Sequence, residues 1–357
     1  MLKKLPRMDN VKKALIIQTA FLGDVVLTLP LIQELKKLFP QCLIDVMVIP
    51  KCAEILLNHP SIHEIIVYDK RGNDSGIGGV LKLGKFLRTR NYDVAFIPHR
   101  SLRSALLPMF GGIPMRIGFT TGSGTLLYSH KIPYQKEHHE VDRNLALLQP
   151  FGYISQGKVL PSLYPSGEDT GIVDRFLQKS KVTNKKRIAI APGTVWNTKR
   201  WLPERFAELA QQLIAKDYSV VLIGGKEDGE LAEQIRNTVN SSNLISAIGM
   251  FSILQSAELL RQCSVLVTND SAPMHLAVSM RTSVVAIFGA TIPQFGFAPI
   301  GEHDIVVETK GLKCRPCSIH GGNICPIKTF DCMNSITAEN VLEQVLKLTA
   351  INSAKQT

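Results

Sequence analysis

Ala14-Leu-Ile-Ile-Gln-Thr-Ala-Phe-Leu-Gly-Asp24 is the stretch that decides the fold. Its opening residues form an unbroken apolar run that reads as a short strand over 14–18, buried on both faces as strands of parallel sheets are. A glycine-containing turn follows. Val25, Leu29, Ile32, Leu35 and Leu38 or Phe39 then recur at helical spacing and predict one helix over 25–39. The same strand–turn–helix unit repeats outward: strand 43–49, helix near 51–58, strand 65–68, helix near 77–90, strand 93–98 and a segment over 100–110. At 150–169 the pattern lapses into Gly, Ser, Pro and Tyr, the composition of a connection between domains. A second alternation starts with strand Arg187–Ala191 and helix Pro203–Ala215. Strand 219–223, helices 230–239 and 252–262, strand 264–268, helix 272–280 and strand Ser283–Phe288 continue it, and helix 338–349 closes the chain. Strands alternating with helices predict an α/β protein of two doubly wound, Rossmann-like domains facing across a cleft, 1–165 and 166–357. The terminal helix is free in this reading to pack back on the first domain.

A chain of 357 residues suits two domains. Its 45% hydrophobic and 20% charged residues exclude wholesale disorder. Lys and Arg number 41 against 30 Asp and Glu, a net charge of +11 that favours an anionic partner. Residues 282–301 are uncharged and long enough on paper to span a membrane, but Pro293, Pro299, Gly289, Gly296 and Gln294 make them a strand followed by a loop. Lys3, Lys4, Arg7, Lys12 and Lys13 ahead of an apolar run imitate a signal peptide. No small-x-small cleavage site follows and Asp24 interrupts the run, so the expectation is the start of a domain in the cytoplasm, extending to the inner face of a membrane. Seven cysteines, an odd count, argue against a disulfide scaffold.

Ligands of open α/β sheets collect beyond the carboxyl ends of strands, where helix N-termini direct N–H groups outward. Three such junctions carry unusual residues. In Thr19-Ala-Phe-Leu-Gly-Asp24 the carboxylate serves either as a helix cap or as a base that takes a proton from an acceptor hydroxyl. In Ala191-Pro-Gly-Thr-Val-Trp-Asn-Thr-Lys-Arg-Trp-Leu-Pro203, Thr194 and Lys199 suit a diphosphate, and a solvated basic loop is the other reading. In Val267-Thr-Asn-Asp-Ser-Ala-Pro-Met-His275, Ser271 reads as an N-cap above an anion site. Asp270 is placed for sugar hydroxyls rather than for a phosphate, and His275 is either functional or a packed helix histidine. Gly225-Lys226 is followed by Glu227, so no Walker A pair exists, and no G-x-G-x-x-G joins a strand to a helix. A kinase or nicotinamide enzyme is disfavoured. Cys314-x2-Cys317-x7-Cys325-x6-Cys332 suits a structural zinc by count. The second pair is not C-x-x-C, and reduced thiols or a reversible disulfide stay open.

Leu22-Gly-Asp-Val25, Lys199-Arg-Trp201 and Thr268-Asn-Asp-Ser271 with Met274-His275 together resemble glycosyltransferase family 9, the ADP-heptose–lipopolysaccharide heptosyltransferases, over almost the whole chain and in the right order. Arg103-Ser-Ala-Leu106 and Gly112-Ile-Pro114 resemble its heptosyltransferase II branch. The resemblance implies a GT-B fold with an N-terminal acceptor domain and a C-terminal donor domain. It implies inverting, metal-independent transfer of heptose from ADP-heptose to the inner core of lipopolysaccharide, with no cofactor. By match Asp24 is the general base. Thr194, Lys199 and the N–H groups of Ser271 and Ala272 hold the diphosphate, Asp270 binds heptose hydroxyls, and Glu227 or Glu230 reaches the ribose. Arg100 and Arg103, within a basic group that includes Lys85, Arg88 and Arg90, are expected to meet the acceptor; for Lys85 a solvated helix face suffices. Where members of the family often have Gly after Asp-Ser, Ala272-Pro273 stands here. The alternatives are a family member using another nucleotide-sugar, an inactive binding-only relative, disfavoured because Asp24, Lys199 and Asp270 are all present, and, more remotely, a basic nucleic-acid-binding protein. Nucleic acid is not expected as a partner, because aromatics are only 6% and no dense basic helix is present.

Overall fold

The computed structural model describes residues 11–180 and 186–354, so Lys3, Lys4 and Arg7 lie outside the described residues. The chain divides into two units, Met1–Tyr164 and Pro165–Thr357. The first contains strands β1 Lys13–Ile17, β2 Leu43–Val48, β3 Glu64–Val67, β4 Val94–Ile97, β5 Met115–Phe119 and β6 His130–Ile132. Helices α1 Leu22–Val26, α2 Leu29–Leu38, α3 Gly76–Thr89, α4 Leu102–Phe110 and α5 Glu140–Ala146 connect and cover them. All pairings are parallel, in the order β3-β2-β1-β4-β5-β6. Leu15 and Ile17 of β1 join Ala95 and Ile97 of β4 in a core with Val80, Leu83 and Leu87 of α3. Each such side chain taken from water contributes about 1.5–3 kcal/mol, which is why an unalternating apolar run settles in the sheet centre.

The second unit repeats the plan. Helix α6 Gly167–Lys179 precedes β7 Arg187–Ala191, followed by α7 Pro203–Ala215, β8 Ser219–Leu222, α8 Gly229–Val239 and β9 Leu244–Ser246. Then come α9 Ile253–Arg261, β10 Val265–Asn269, α10 Ala272–Ser279, β11 Ser283–Phe288, β12 Ile305–Glu308, α11 Asp331–Asn334 and α12 Ala338–Ala354. The parallel order is β12-β11-β10-β7-β8-β9. Trp201 anchors the core, fully buried, with its ring 4.8 Å from Phe206 in an edge-on contact and its Nε1 donating to the Ile336 carbonyl. Helix α12 packs on α7 and on strands β10 to β12 of its own unit.

The structure departs from the expected elements in several places. The helix expected over 25–39 breaks at Leu27–Thr28 into α1 and α2, because the ring of Pro30 excludes a continuous helix through that point. Thr28 bridges the elbow, donating its hydroxyl to the Asp24 carbonyl at 2.8 Å. The helix expected near 51–58 is two 3-10 turns, Pro50–Cys52 and Glu54–Leu56, in a segment bounded by prolines. Helix α6 starts inside the expected connection, its first turn closed by Ser166 and Asp169 bonding reciprocally at 3.1 and 2.8 Å. Strands β5, β6, β9 and β12 were not anticipated.

Both sheets reverse their winding once. In the first, the chain goes one way from β1 to β2 and β3 and the other way from β4 to β6. In the second, β7, β8 and β9 run one way and β10, β11 and β12 the other. The loops after β1 and β4, and after β7 and β10, therefore border the two topological switch points, where open α/β sheets bind ligands.

Candidate active site

At the first switch point, the loop after β1 leads to Asp24 on α1. Its carboxylate accepts the Phe21 N–H at 3.1 Å, so part of the capping reading is realised. Burial pushes this carboxyl up to about 6, with the Glu140 carboxylate adding to the rise and the Phe21 N–H and Arg100 opposing it. Asn144 on α5 donates to the Leu27 carbonyl at 3.0 Å, which ties the helix bearing Glu140 to the α1–α2 elbow. Glu140 is itself buried and shifted upward, held by Arg143 at 2.8 Å. Tyr134 lies between two guanidiniums, Arg100 at 4.0 Å and Arg143 at 4.8 Å from its ring centre. A carboxyl that titrates near 6 at a crevice edge is a competent general base near neutral pH. Arg100, whose charge acts on Asp24, and Arg103, which reaches the Lys70 carbonyl, are exposed.

At the second switch point, Asn269 fastens the two loops together. It accepts the Trp201 N–H at 2.9 Å and donates to the Pro192 carbonyl at 2.8 Å. Lys199 Nζ lies 2.6 Å from Asp270 Oδ2, and the Thr291 hydroxyl donates to the same oxygen at 2.7 Å. From sequence Asp270 is expected to face sugar hydroxyls; here it is paired with Lys199, because the loops after β7 and β10 are neighbours at the switch point. Ser271 occupies the N-cap position of α10 but does not cap it. Its hydroxyl turns back to the Asn269 carbonyl at 3.3 Å. Asp228 presses against the Pro192-Gly193 turn, where a Cβ on Gly193 would stand 2.0 Å from its Oδ1. Burial and Glu227 raise the Asp228 carboxyl, and Arg200, which donates to the Thr194 carbonyl, opposes that.

The cysteine-bearing segment docks on this loop. Thr198 and Gly322 bond reciprocally, N–H to carbonyl at 2.9 Å and N–H to hydroxyl at 2.8 Å. Arg315, with a nearly buried side chain, donates to the carbonyls of Gly289, Thr291 and Thr309 and to Glu308 at 2.9 Å. All four thiols are free. No three of them converge as the ligands of one ion would. Among the described residues, Asp45, His63 and Glu64 are the only histidine, cysteine or carboxylate group close enough to do so; Asp45 is held by Lys13, Tyr92 and His63 itself, and Glu64 by Arg90. Burial pushes Cys332 up to about 11, whereas the N–H groups of residues 327–330 hold the Cys325 thiol below its usual value.

A family model described as glycosyltransferase family 9 (heptosyltransferase) matches residues 80–323. The chain belongs to that family. It is 32% identical over 296 residues to lipopolysaccharide heptosyltransferase 2 of Escherichia coli K12, covering 79% of this chain and 84% of the relative. With lipooligosaccharide heptosyltransferase 2 of Haemophilus influenzae it shares 28% over 350 residues, covering 94% of this chain and 99% of the relative. The solved structure of E. coli ADP-heptose lps heptosyltransferase II superposes with a TM-score of 0.80 at 29% identity, covering 96% of this chain and 99% of that one. The protein is a glycosyltransferase with the α/β GT-B architecture.

In this family 9 glycosyltransferase, Thr194, Lys199, Asp270, Ser271 and Ala272 gather at one switch point and Asp24, Arg100 and Arg103 at the other. Glu227, in the turn after β8, and Glu230, at the start of α8, are exposed beyond the β8 end. His275 is buried on the second turn of α10. Sequence reasoning missed Glu140, Tyr134, Asp228 and Thr291. Asp228 carried a local signal, a carboxylate three residues after Gly225 whose N–H it accepts at 3.0 Å.

Proposed function

We propose that this glycosyltransferase moves heptose from ADP-heptose to the inner core of lipopolysaccharide, with inversion and without a catalytic metal. The observation that carries this is chemical contrast between the two switch points: a carboxyl held up to about 6 at one and a nearly buried ammonium beside a helix N-terminus at the other. An acceptor hydroxyl is a poor nucleophile until its proton is removed, and Asp24 is the base for that step. The departing ADP gains negative charge, which Lys199, the Thr194 hydroxyl and the first N–H groups of α10 stabilise. Lys199 exchanges its contact with Asp270 for the diphosphate, and Asp270 turns to heptose hydroxyls. Glu227 or Glu230 meets the ribose. The first unit takes the acceptor through Arg100 and Arg103, the second the donor.

Support for the donor comes from the similarity to a solved ADP-heptose heptosyltransferase II over nearly the full chain. The net charge of +11 suits a phosphorylated, lipid-linked acceptor at the cytoplasmic face of the inner membrane. No helix among the described residues is long and apolar enough to cross a membrane. Thermal shift separates this reading from a family member with another donor. ADP-heptose raises the unfolding temperature and UDP-sugars do not; a larger shift with a UDP-sugar overturns the donor assignment.

A further inference from the structure

The loop after β4 carries a histidine for which the reaction above has no use. His99 follows Pro98 at the carboxyl end of β4, at the same switch point as the Asp24 loop. Its Nδ1 lies 2.9 Å from Thr19 Oγ1, 3.0 Å from Ser104 Oγ and 3.4 Å from Ser101 Oγ. Thr19 and Ser104 are buried. Ser101 donates to Ser104 Oγ at 3.0 Å, and that oxygen lies 3.2 Å from Thr19 Oγ1, so the Ser104 proton goes to Nδ1 directly or by way of the Thr19 hydroxyl. Nδ1 is then an acceptor and the ring proton sits on Nε2. Every hydrogen bond that the described residues make to the ring falls on Nδ1. Burial, with Lys70 and Arg100 nearby, depresses protonation of the ring to about 4, so it stays neutral while donating.

The surroundings are cationic. Lys70 Nζ donates to the Thr19 carbonyl at 2.6 Å, Arg103 reaches the Lys70 carbonyl at 3.5 Å, and the charge of Arg100 acts on both His99 and Asp24. A fixed N–H donor flanked by an ammonium and guanidiniums is a set of groups that recognises an oxyanion.

We propose that His99 is an acceptor-binding residue whose Nε2–H donates to an oxygen of a sugar-borne carboxylate or phosphate, with Lys70 and Arg100 supplying the countercharge. This rests on the acceptor assignment of the first unit given above. The hydroxyls of Thr19, Ser101 and Ser104 are the cradle that fixes the ring, and the substrate meets the opposite edge.

Two measurements test it. In steady-state transfer from ADP-heptose to a heptose-deficient lipopolysaccharide, His99→Leu raises the acceptor KM tenfold or more and leaves the donor KM within twofold. His99→Gln, which keeps an N–H donor, recovers most of the loss. An unchanged acceptor KM in His99→Leu, or equal losses in both variants, overturns the assignment. In nitrogen-resolved NMR of the wild-type imidazole, inorganic phosphate and acetate are titrated separately. A shift of the His99 Nε2–H signal with phosphate marks a phosphorylated acceptor, and a shift with acetate a carboxylate. No shift with either overturns the anion site whatever the kinetics. An anion shift in a wild-type protein that transfers no heptose keeps His99 as a site and rejects the heptosyl reading instead.

Discussion

Asp24 combines two demands that pull against each other. A carboxyl raised from 3.8 to about 6 is a stronger base than a free aspartate, and the protein bears the cost of holding its charge in a confined place. The sign of the stability effect follows from the raised folded value: the stabilising contribution is complete below the unfolded value of 3.8 and is lost as pH rises through about 6. Asp24→Asn should therefore lower kcat by roughly 10²–10⁴-fold and yet raise the unfolding temperature at pH 8, by a margin that vanishes near pH 4. Activity within a few-fold of wild type makes Asp24 a cap and nothing more. The wild-type rate should fall as pH drops below about 6, since the base is then protonated, and Asp24→Asn should lack that limb. For Lys199→Ala the expected loss is about 2–4 kcal/mol in kcat/KM together with weaker ADP binding, because the ammonium meets phosphate in both ground and transition states. Calorimetric titration with ADP checks this; wild-type affinity removes Lys199 from the diphosphate site.

At the scale of elements, helix Pro203–Ala215 and strands Arg187–Ala191 and Ser283–Phe288 were legible to the residue, because proline at the helix start and unbroken apolar runs leave one reading. The strands that escaped are short or mixed in polarity. β6 is His-Lys-Ile at a sheet edge, and β12 is half-buried along its whole length. Candidate site residues could be placed on their junctions from sequence, since glycine, proline and a helix start mark where strands end. Their partners could not: Lys199 pairs with Asp270 through sheet order, and the Glu140 charge acts on Asp24 from a helix far along the chain, neither of which local patterning encodes. The cysteine-bearing segment stands out in the sequence for its thiols, but it meets the loop after β7 through Gly322 and the Thr291 carbonyl after β11 through Arg315. Arg315→Gln should cost stability and weaken ADP binding together, since Thr291, which bonds Asp270, hangs from that guanidinium. Cys314→Ser should leave ADP affinity near wild type. A reversed pattern, with ADP binding lost on removing the thiol and kept without the guanidinium, places the thiols in the site.

At the scale of the whole molecule, two copies of one architectural plan are proposed to serve opposite electrostatic tasks, one stabilising a developing diphosphate and the other withdrawing a proton beside cationic groups. Activity is expected to survive EDTA. Magnesium or manganese restoring activity lost to the chelator contradicts that expectation, while recovery with zinc alone points to a structural role for the four cysteines. Everything proposed for the two switch points depends on the identity of the transferred sugar and its recipient. Incubating the enzyme with ADP-heptose and a series of lipopolysaccharides truncated step by step through the inner core, and reading product masses, tests it most directly. A single heptose should add to one truncation class and none to the lipid anchor lacking core sugars. No mass gain with ADP-heptose on any acceptor, or a gain only when another nucleotide-sugar is supplied, contradicts it.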